Sequence, residues 1–301
     1  MNLKDKFKGS ILGMAMADSL AFKKCGGTGY SSELQLCLCV AKTLCSCKAA
    51  TSEFQRLLAK NFIDWSENIG DSEIRKNAID TNLASFDALK NSIPLDEIEI
   101  MSPDTGATAR AMPIGLYWND IITKSIQFGI LSCEISHTDM NSKCSAVAAA
   151  LGTLLASKNV PTGCWANEIT AITSGIDKEF VESIKLASKI AANKTTPEES
   201  KKIIGPGHQC NESIAIALYS CMSEPFSWKD AVTKAIDASD NPCSSGCIAG
   251  GWMGAKFGIQ GLPPEVDSLE RKSDLEMLAE KLYDEYVFRK KNINDYQLMF
   301  D

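Results

Sequence analysis

Four of the twelve cysteines form a cluster with the spacing C-x-C-x5-C-x-C: Cys37, Cys39, Cys45 and Cys47. Four thiolates can hold a zinc ion if they converge on one tetrahedron. On a helix, however, residues two positions apart point roughly 200° apart, so Cys37 and Cys39 cannot chelate together unless the helix breaks. Cysteine is also a common small core residue. The pattern favours packing of these thiols over a zinc site.

Cys243 and the two histidines are the candidates for nucleophilic chemistry. Cys243 precedes Gly246 and Cys247 at the predicted start of a helix, where the helix dipole lowers the pKa of a thiol. A reactive cysteine with His137 or His208 as its base is one interpretation, but nothing in the sequence brings these side chains together. Because only two histidines occur, a histidine-built metal site or a histidine-dependent triad is disfavoured.

The segment Gly26-Gly27-Thr28-Gly29 has the glycine content of a phosphate-binding loop. It lacks the Gly-Lys-Ser/Thr ending of a P-loop and the preceding strand of a dinucleotide-binding fold. A simple turn therefore explains these glycines better than a phosphate site.

The segments that must position these residues have helical spacing, and alternating strand-like segments are hard to find. Some predicted helices are small and apolar almost all round, which is typical of helices buried on most of their circumference. These cover residues 10–22, 34–44, 144–157, 213–221 and 246–257. Amphipathic helices are predicted at residues 52–65, 179–192 and 268–288. The fold class predicted from the sequence is all-α.

Loops are predicted where glycine and proline cluster, several of them directly before a buried helix. They cover residues 25–29, 102–106, 205–207, 240–242 and 261–264. Free backbone N–H groups collect at helix N-termini, so these loops are where a phosphate or metal site would be built in an all-α protein.

The composition is that of a globular protein, with 45% hydrophobic and 23% charged residues. With 31 basic and 38 acidic residues the net charge is −7, which argues against nucleic acid or anionic lipid as the main partner. No apolar run approaches the roughly 20 residues of a membrane helix, and the charged N-terminus is unlike a signal peptide. We therefore expect a soluble, cytoplasmic protein whose cysteines are mostly free, buried thiols.

Six segments, in order, resemble the motifs of the ADP-ribosylglycohydrolase family. The opening segment, residues 9–20, is similar to G-x-x-x-G-x-A-x-G-D-A-L, with Ala17 in place of a glycine. The other five are residues 30–36 (T-D-D-T), 104–115 (G-N-G-x-x-M-R-x-x-P-I-G), 136–139 (T-H-x-D/N), 212–217 and 240–250 (G-D-x-D-T-x-x-x-I-A-G). The resemblance covers residues 5–264, and we predict a single domain over 1–301 in which 265–301 is a C-terminal helical extension.

The resemblance implies a compact, mainly orthogonal helical bundle with a two-magnesium centre. In that family the metals orient ADP-ribose and help to activate the hydrolytic step, and their ligands come from the T-D-D and D-x-D-T motifs. Magnesium prefers oxygen ligands, carboxylates above all, in near-octahedral geometry.

At the first motif the resemblance places Ser31 on the family threonine, which keeps a hydroxyl. The first aspartate becomes Ser32, which carries no charge, and the second becomes Glu33, which keeps a carboxylate on a longer side chain.

At the second motif the first aspartate becomes Asn241, a neutral oxygen ligand. The second becomes Cys243, a soft ligand poorly suited to magnesium, and the closing threonine becomes Ser244. Four carboxylates are thus reduced to Glu33 alone, which predicts a lost metal centre, no metal or other cofactor and no catalytic residue.

Other motif residues are kept, namely Arg110, Pro113 and Gly115 in the middle motif and His137 in the next. Asp104, Gly106, Arg110 and His137 are candidates for lining a vestigial ligand cleft. Alternatively, Arg110 is a structural ion-pair partner at the start of a buried helix and His137 caps a helix, and we favour these structural roles.

A kept scaffold with lost carboxylates indicates a fold reused for another purpose. One branch of the family, the J-type crystallins of the jellyfish eye lens, is similar in this respect, so the sequence predicts a structural lens protein. The alternative is an ADP-ribosyl hydrolase with residual activity using Glu33, or an ADP-ribose-binding module. Self-association at high concentration is compatible with this prediction, nucleic acid and membrane partners are not expected, and ADP-ribose binding is doubtful.

Overall fold

The structure, a computed structural model, describes residues 2–47, 51–70 and 72–292. Over these residues the chain folds into fifteen α-helices joined by loops and short 3-10 turns. The described part of the chain contains no β-strand, and its one isolated β-bridge joins Asp104 to Gln209. The all-α prediction is therefore confirmed.

The helices, numbered in chain order, share one hydrophobic core. Their bounds are α1 Leu3–Lys24, α2 Ser32–Leu44, α3 Thr51–Asn68, α4 Glu73–Lys76, α5 Asp80–Lys90, α6 Met112–Tyr117, α7 Ile122–Cys133, α8 Met140–Ser157, α9 Thr162–Thr173, α10 Lys178–Ala192, α11 Pro197–Ile204, α12 Cys210–Ser223, α13 Trp228–Asp237, α14 Pro242–Phe257 and α15 Lys272–Asn292.

The backbones of α1 and α14 lie so close together that only glycine fits at the points of contact. A Cβ atom on Gly13 would lie 2.4 Å from the carbonyl oxygen of Gly250, and one on Gly254 would lie 2.0 Å from the carbonyl oxygen of Gly9. The glycines are four residues apart on each helix, so each pair lies on one face. Ser10 Oγ adds a hydrogen bond to the carbonyl of Gly251 (3.0 Å). This contact fixes the end of α1 beside the start of α14.

The helices predicted to be buried lie within α1, α2, α8, α12 and α14, each of which is buried over most of its length. The amphipathic segments 52–65 and 179–192 lie within α3 and α10. Within the described residues, no helix combines the length and apolar character needed to cross a bilayer.

The last helix begins later than residue 268, where we expected it. Pro264–Ser268 forms a 3-10 turn, and Arg271 has a φ of +52°, which lies outside the right-handed helical region. Helix α15 therefore begins at Lys272. Residues 293–301, the end of the predicted extension, lie outside the described residues.

Arg289 anchors α15 on the bundle. Its side chain is buried, its Nη2 donates to the carbonyl of Tyr117 (3.0 Å) and it forms an ion pair with Asp120. The guanidinium lies 4.2 Å from the ring centre of Trp118, within cation–π range. This cluster attaches the C-terminal end of α15 to the end of α6.

We predict that Gly13→Ala destabilises the protein strongly, because the added methyl group would push α1 away from α14. Overpacking of this kind costs about 1–3 kcal/mol, and a rigid carbonyl cannot move aside as a flexible side chain can. Gly163→Ala is the matched control, because a Cβ on Gly163 would meet no atom within 4 Å. Urea unfolding of both variants measures the difference; equal stabilities would contradict the role given to the contact.

Candidate functional site

A narrow cleft opens where the end of α1 meets the starts of α2 and α14. Its cavity volume is about 180 Å³. The residues lining it are Phe22, Cys25, Ser31, Ser32, Glu33, Asn77, Ile79, Asp240, Asn241, Pro242 and Cys243. The fold thus brings together both segments that the resemblance assigns to the metal centre, although Glu33 and Asn241 are 208 positions apart in the sequence.

Ser31 is held by Asp18 rather than being free to bind a ligand. The Ser31 amide donates to Asp18 Oδ2 (2.7 Å) and its hydroxyl donates to Asp18 Oδ1. The same hydroxyl accepts from the amide of Glu33 (3.1 Å), so Ser31 is also the N-cap of α2. The pair joins the middle of α1 to the start of α2.

Glu33 and Asn241 are connected through Thr105. Asn241 Nδ2 donates to Thr105 Oγ1 (3.0 Å), and Thr105 Oγ1 donates to Glu33 Oε1 (3.3 Å). Thr105 is fully buried, in a 3-10 turn that precedes α6. A chain of neutral hydrogen-bond donors therefore links the two motifs.

The remaining three motif positions differ in access to the cleft. Ser32 lines it and is 4% exposed. Cys243 lines it as the second residue of α14. Ser244 is buried behind the cleft, where its hydroxyl accepts from Ser213 Oγ (2.9 Å).

Burial dominates the electrostatics of the two acids at this site. Desolvation raises the pKa of Asp18 to about 7, although the hydrogen bonds from Ser31 oppose the rise. Desolvation, with repulsion from Asp18, raises the pKa of Glu33 to about 8. Burial thus opposes the ionisation of both carboxyls near neutral pH.

The thiol of Cys243 is not activated, contrary to the effect we expected from the helix dipole. Burial raises its pKa far above the usual range, and the nearby acid Asp18 raises it further. His137, which was considered as its base, instead lies 2.7 Å from Asp104. His208 is exposed and does not line the cleft. Desolvation thus outweighs the dipole at this position.

The cysteine cluster packs in the core. Cys37, Cys39, Cys45 and Cys47 are all buried, and the Cys37 thiol hydrogen-bonds to Cys247 on α14. Across the part of the chain that the structure describes, no three His, Cys, Asp or Glu side chains lie close enough to hold a metal ion.

Asp104, Arg110 and His137 form an internal network that does not line the cleft. His137 Nδ1 lies 2.8 Å from Ser136 Oγ, which accepts from Arg110 Nη2 (2.8 Å). Burial alone would raise the pKa of Asp104, but the hydrogen bond and charge of His137 hold it well below its usual range. His137 therefore bonds to Asp104, whereas we expected it to cap a helix.

The hydrogen bonds of Arg110 go to uncharged oxygen atoms, whereas we expected an ion pair. Its guanidinium donates to Asn82 Oδ1 (3.1 Å) and to the carbonyl of Ser132 (2.7 Å), and it lies 4.8 Å from the ring centre of Phe62. Desolvation lowers its pKa to about 10. A side-chain amide oxygen from α5 and a backbone carbonyl from the last turn of α7 thus stand where we expected a carboxylate.

Gly106 and the glycine loop have structural roles. The Gly106 amide donates to Asp104 Oδ1 (2.9 Å), and a Cβ on Gly106 would lie 2.7 Å from Asn82. Gly26 and Gly29 have φ values of +87° and +76° in the turn between α1 and α2. The turn interpretation of residues 26–29 agrees with this geometry.

A model of the ADP-ribosylglycohydrolase family matches residues 1–292. The chain belongs to the ADP-ribosylglycohydrolase family. A solved structure described as an "ADP-ribosylglycohydrolase-related protein complex" is similar with a TM-score of 0.74 and 14% sequence identity, over 94% of this chain and 99% of that chain. At this identity the similarity shows the fold alone. Among curated proteins no significant match is found.

The residues in the cleft of this ADP-ribosylglycohydrolase-family chain do not fit two magnesium ions. Ser31 is engaged by Asp18, and the amide nitrogen of Asn241 is engaged by Thr105. Glu33 is the one carboxylate among the six motif positions, and Cys243 presents sulfur. Two hard dications need several oxygen ligands and compensating negative charge, which this set does not supply.

Sequence reasoning missed Asp18 and Thr105 as parts of the site. Both stand inside motifs that carry the resemblance, Asp18 in the opening helix and Thr105 where the family has asparagine. Their polarity within small, apolar surroundings was the available signal, because a buried polar group needs a partner. The partners themselves, Ser31 and Glu33, follow only from the fold.

We predict that Glu33→Gln alters the pH dependence of stability. Because the folded-state pKa of Glu33 is raised from 4.5 to about 8, folding opposes its ionisation and wild-type stability falls as pH rises through this window. The glutamine of the variant cannot ionise. Below this pH window the free energy of unfolding of the variant should equal that of wild type, and above the window it should be larger by a few kcal/mol.

Urea unfolding across the pH range measures this difference. Glu168→Gln is the control, because Glu168 is exposed and its variant should follow wild type at every pH. A Glu33→Gln variant that is less stable than wild type in alkaline solution would contradict the assignment of a buried, destabilising carboxyl.

Proposed function

We propose that this family member is a catalytically inactive structural protein that serves as a lens crystallin in the cytoplasm, as the J-type crystallins do. The observation that carries the proposal is the set of six motif positions, in which Glu33 is the one carboxylate. Asp240 also lines the cleft, but it forms an ion pair with Lys201. Without the metals that the family chemistry needs, the cleft has no means of orienting ADP-ribose for hydrolysis.

The size of the cleft supports the same conclusion. Sites for small molecules usually measure about 300–1,000 Å³. The cleft measures about 180 Å³, because Phe22, Ile79 and Pro242 contribute to its walls. A dinucleotide-sized ligand such as ADP-ribose would therefore require the walls to move.

The surface and the thiols suit a protein that accumulates to high concentration. A net charge of −7 favours mutual repulsion and solubility. Of the twelve cysteines, ten are buried and two, Cys25 and Cys164, are exposed, as we expected for most of them. Burial protects thiols from oxidation and cross-linking over a long lifetime.

Residual hydrolysis is the second candidate, and one observation favours it. A glutamic acid with a pKa of about 8 is suited to donate a proton near neutral pH, and Glu33 has this property. In this alternative Glu33 is the acid or base and the reaction uses one metal ion or none.

Restoring the lost carboxylates distinguishes the two candidates. We expect the triple variant Ser32→Asp, Asn241→Asp and Cys243→Asp to gain thermal stabilisation by magnesium, because the added charges need a cation. We expect wild type to show neither this stabilisation nor hydrolysis of ADP-ribosylated substrates. Hydrolysis by wild type would overturn the proposal.

A matched control for this triple variant places the same three changes on the surface. Ser273→Asp, Asn167→Asp and Cys164→Asp substitute the same residue types at exposed positions. Magnesium should leave the unfolding temperature of this control unchanged relative to wild type. An equal rise in both triple variants would mean that magnesium acts on general surface charge and would remove the evidence for a decayed metal site.

We predict that a thiol reagent modifies two cysteines rapidly in the native protein. Cys25 and Cys164 are exposed, whereas the other ten are buried and burial keeps most of their thiols protonated. Mass spectrometry after brief labelling gives the count, and a Cys25→Ser/Cys164→Ser variant should show almost none. Rapid modification of more than half of the cysteines would contradict the protected arrangement.

A further inference from the structure

Two of the twelve cysteines, Cys25 and Cys243, line the cleft. Cys25 is the C-cap of α1 and is exposed. Cys243 is the second residue of α14 and is buried apart from the part that borders the cleft. The two thiols therefore lie at the ends of the two helices that the glycine contact holds together.

The packing of α1 against α14 sets the register of the two thiols. A Cβ on Gly250 would lie 2.4 Å from the Cβ of Ala17, and a Cβ on Gly246 would lie 3.6 Å from the Cβ of Ala21. Four residues forward along α1 thus correspond to four residues back along α14. The next such step reaches Cys25, whose amide still donates to the carbonyl of Ala21 (3.2 Å), and it reaches the first turn of α14.

Cys25 and Cys243 also lie on the facing sides of their helices. Cys25 is four residues after Ala21, and Cys243 is three residues before Gly246. Residues at these spacings share one face of a helix. The distance of 3.6 Å between the Cβ of Ala21 and a Cβ on Gly246 falls within the range of about 3.5–4.5 Å that a disulfide requires. The helices are therefore already at the spacing of a disulfide one turn away from the two thiols.

The electrostatics of Cys243 agree with this placement. Burial raises the pKa of its thiol most, Asp18 raises it next, and Cys25 is the third group that raises it. Because the Coulomb interaction weakens with distance, the effect of Cys25 indicates a nearby sulfur atom. The Cys243 thiol also bonds to the Ser31 side chain, and this weak hydrogen bond is the one that a bond to Cys25 would replace.

From these observations we infer that Cys25 and Cys243 form a dithiol site that low-molecular-weight disulfides, such as glutathione disulfide, oxidise reversibly to an internal disulfide. The bond ties the end of α1 to the start of α14 across the cleft that both residues line. Oxidation of the exposed Cys25 thus ends in a bond within the molecule rather than in a cross-link between molecules.

The reaction consists of two thiol–disulfide exchanges, and exposure sets their order. The thiolate of exposed Cys25 attacks one sulfur atom of the small disulfide and displaces a small thiolate, which takes up the proton that Cys25 released. Cys243 then loses its proton and attacks the Cys25 sulfur of this mixed disulfide, and the second small thiol leaves with that proton. Two protein thiols are oxidised, and one small disulfide is reduced to two small thiols.

Cys164, the other exposed cysteine, provides the internal comparison. It is the third residue of α9 and does not line the cleft. The buried face of α9 carries Thr162, Trp165 and Ile169, so the exposed thiol of Cys164 lies on the solvent side of the helix. We expect its reaction with a small disulfide to stop at the mixed disulfide.

Incubation of the native full chain with glutathione disulfide tests the site. After free thiols have been blocked with an alkylating reagent, peptide mapping without reduction identifies the product. We expect a cross-linked pair of peptides that contains Cys25 and Cys243, and a lasting mixed disulfide at Cys164. An excess of reduced glutathione should remove both modifications, because each exchange is reversible.

Cys243→Ser is the decisive variant, because it removes the second thiol and leaves Cys25 exposed. The mixed disulfide at Cys25 should then persist, whereas in wild type its amount should be lower by about tenfold or more, since a neighbouring thiol acts at a high effective concentration. Cys25→Ser should abolish the cross-link. Cys164→Ser is its matched control, because it makes the same change at the other exposed cysteine and should leave the cross-link unchanged.

Three results would overturn the inference: a mixed disulfide at Cys25 that lasts as long in wild type as in Cys243→Ser, a cross-link from Cys25 to a cysteine other than Cys243, or loss of the cross-link in Cys164→Ser. The map of wild type decides the first two points without relying on the folding of Cys25→Ser. Modification of the buried Cys37 and Cys247 would reveal a misfolded variant, and both should stay unmodified in each protein.

This inference does not depend on the proposed function. The cross-link is identified by mass, with neither magnesium nor ADP-ribose present, and an active hydrolase could carry the same dithiol site. Failure of one proposal therefore leaves the other to its own experiment.

Discussion

The backbone contact between α1 and α14 is the constraint on which the cleft depends. Gly13 and Gly250 meet where no side chain fits, and this places the end of α1 beside the first turn of α14. Asp18, five residues beyond Gly13, then accepts a hydrogen bond from Ser31, which is the N-cap of α2. The three helix ends that form the cleft are therefore positioned by packing and a buried hydrogen bond, and neither requires a metal.

Within the cleft, hydrogen bonds connect the two motifs that the family chemistry would connect through metal ions. Asn241 donates to Thr105, which donates to Glu33, and this connection uses neutral groups. Serine, asparagine and cysteine at the positions where the resemblance places aspartate avoid repulsion between buried carboxylates, which is compatible with a stable fold. Burial, with repulsion from Asp18, already raises the pKa of Glu33 to about 8.

Much of the fold could be predicted from sequence patterns, because these patterns depend on residues that are close together along the chain. The buried and amphipathic helices were predictable because spacing along a helix determines which face is apolar, and motif order identified the family. The start of α15 could not be predicted in this way, because it depends on the backbone conformation of Arg271.

The residue types of the site could be predicted, but their hydrogen-bond partners could not. The bonds from His137 to Asp104 and from Arg110 to Ser132 join segments that are distant in the sequence. The raised pKa of Cys243 was missed because the sequence reveals a helix start but not the depth of burial.

We propose that the cleft neither gathers magnesium nor holds ADP-ribose. A calorimetric titration of the wild-type protein with ADP-ribose, in the presence and absence of millimolar magnesium, tests it most directly. We expect no heat of binding and no thermal stabilisation in either condition. Magnesium-dependent binding of ADP-ribose would contradict it, because Glu33 and its neutral neighbours would then have to form a working metal site.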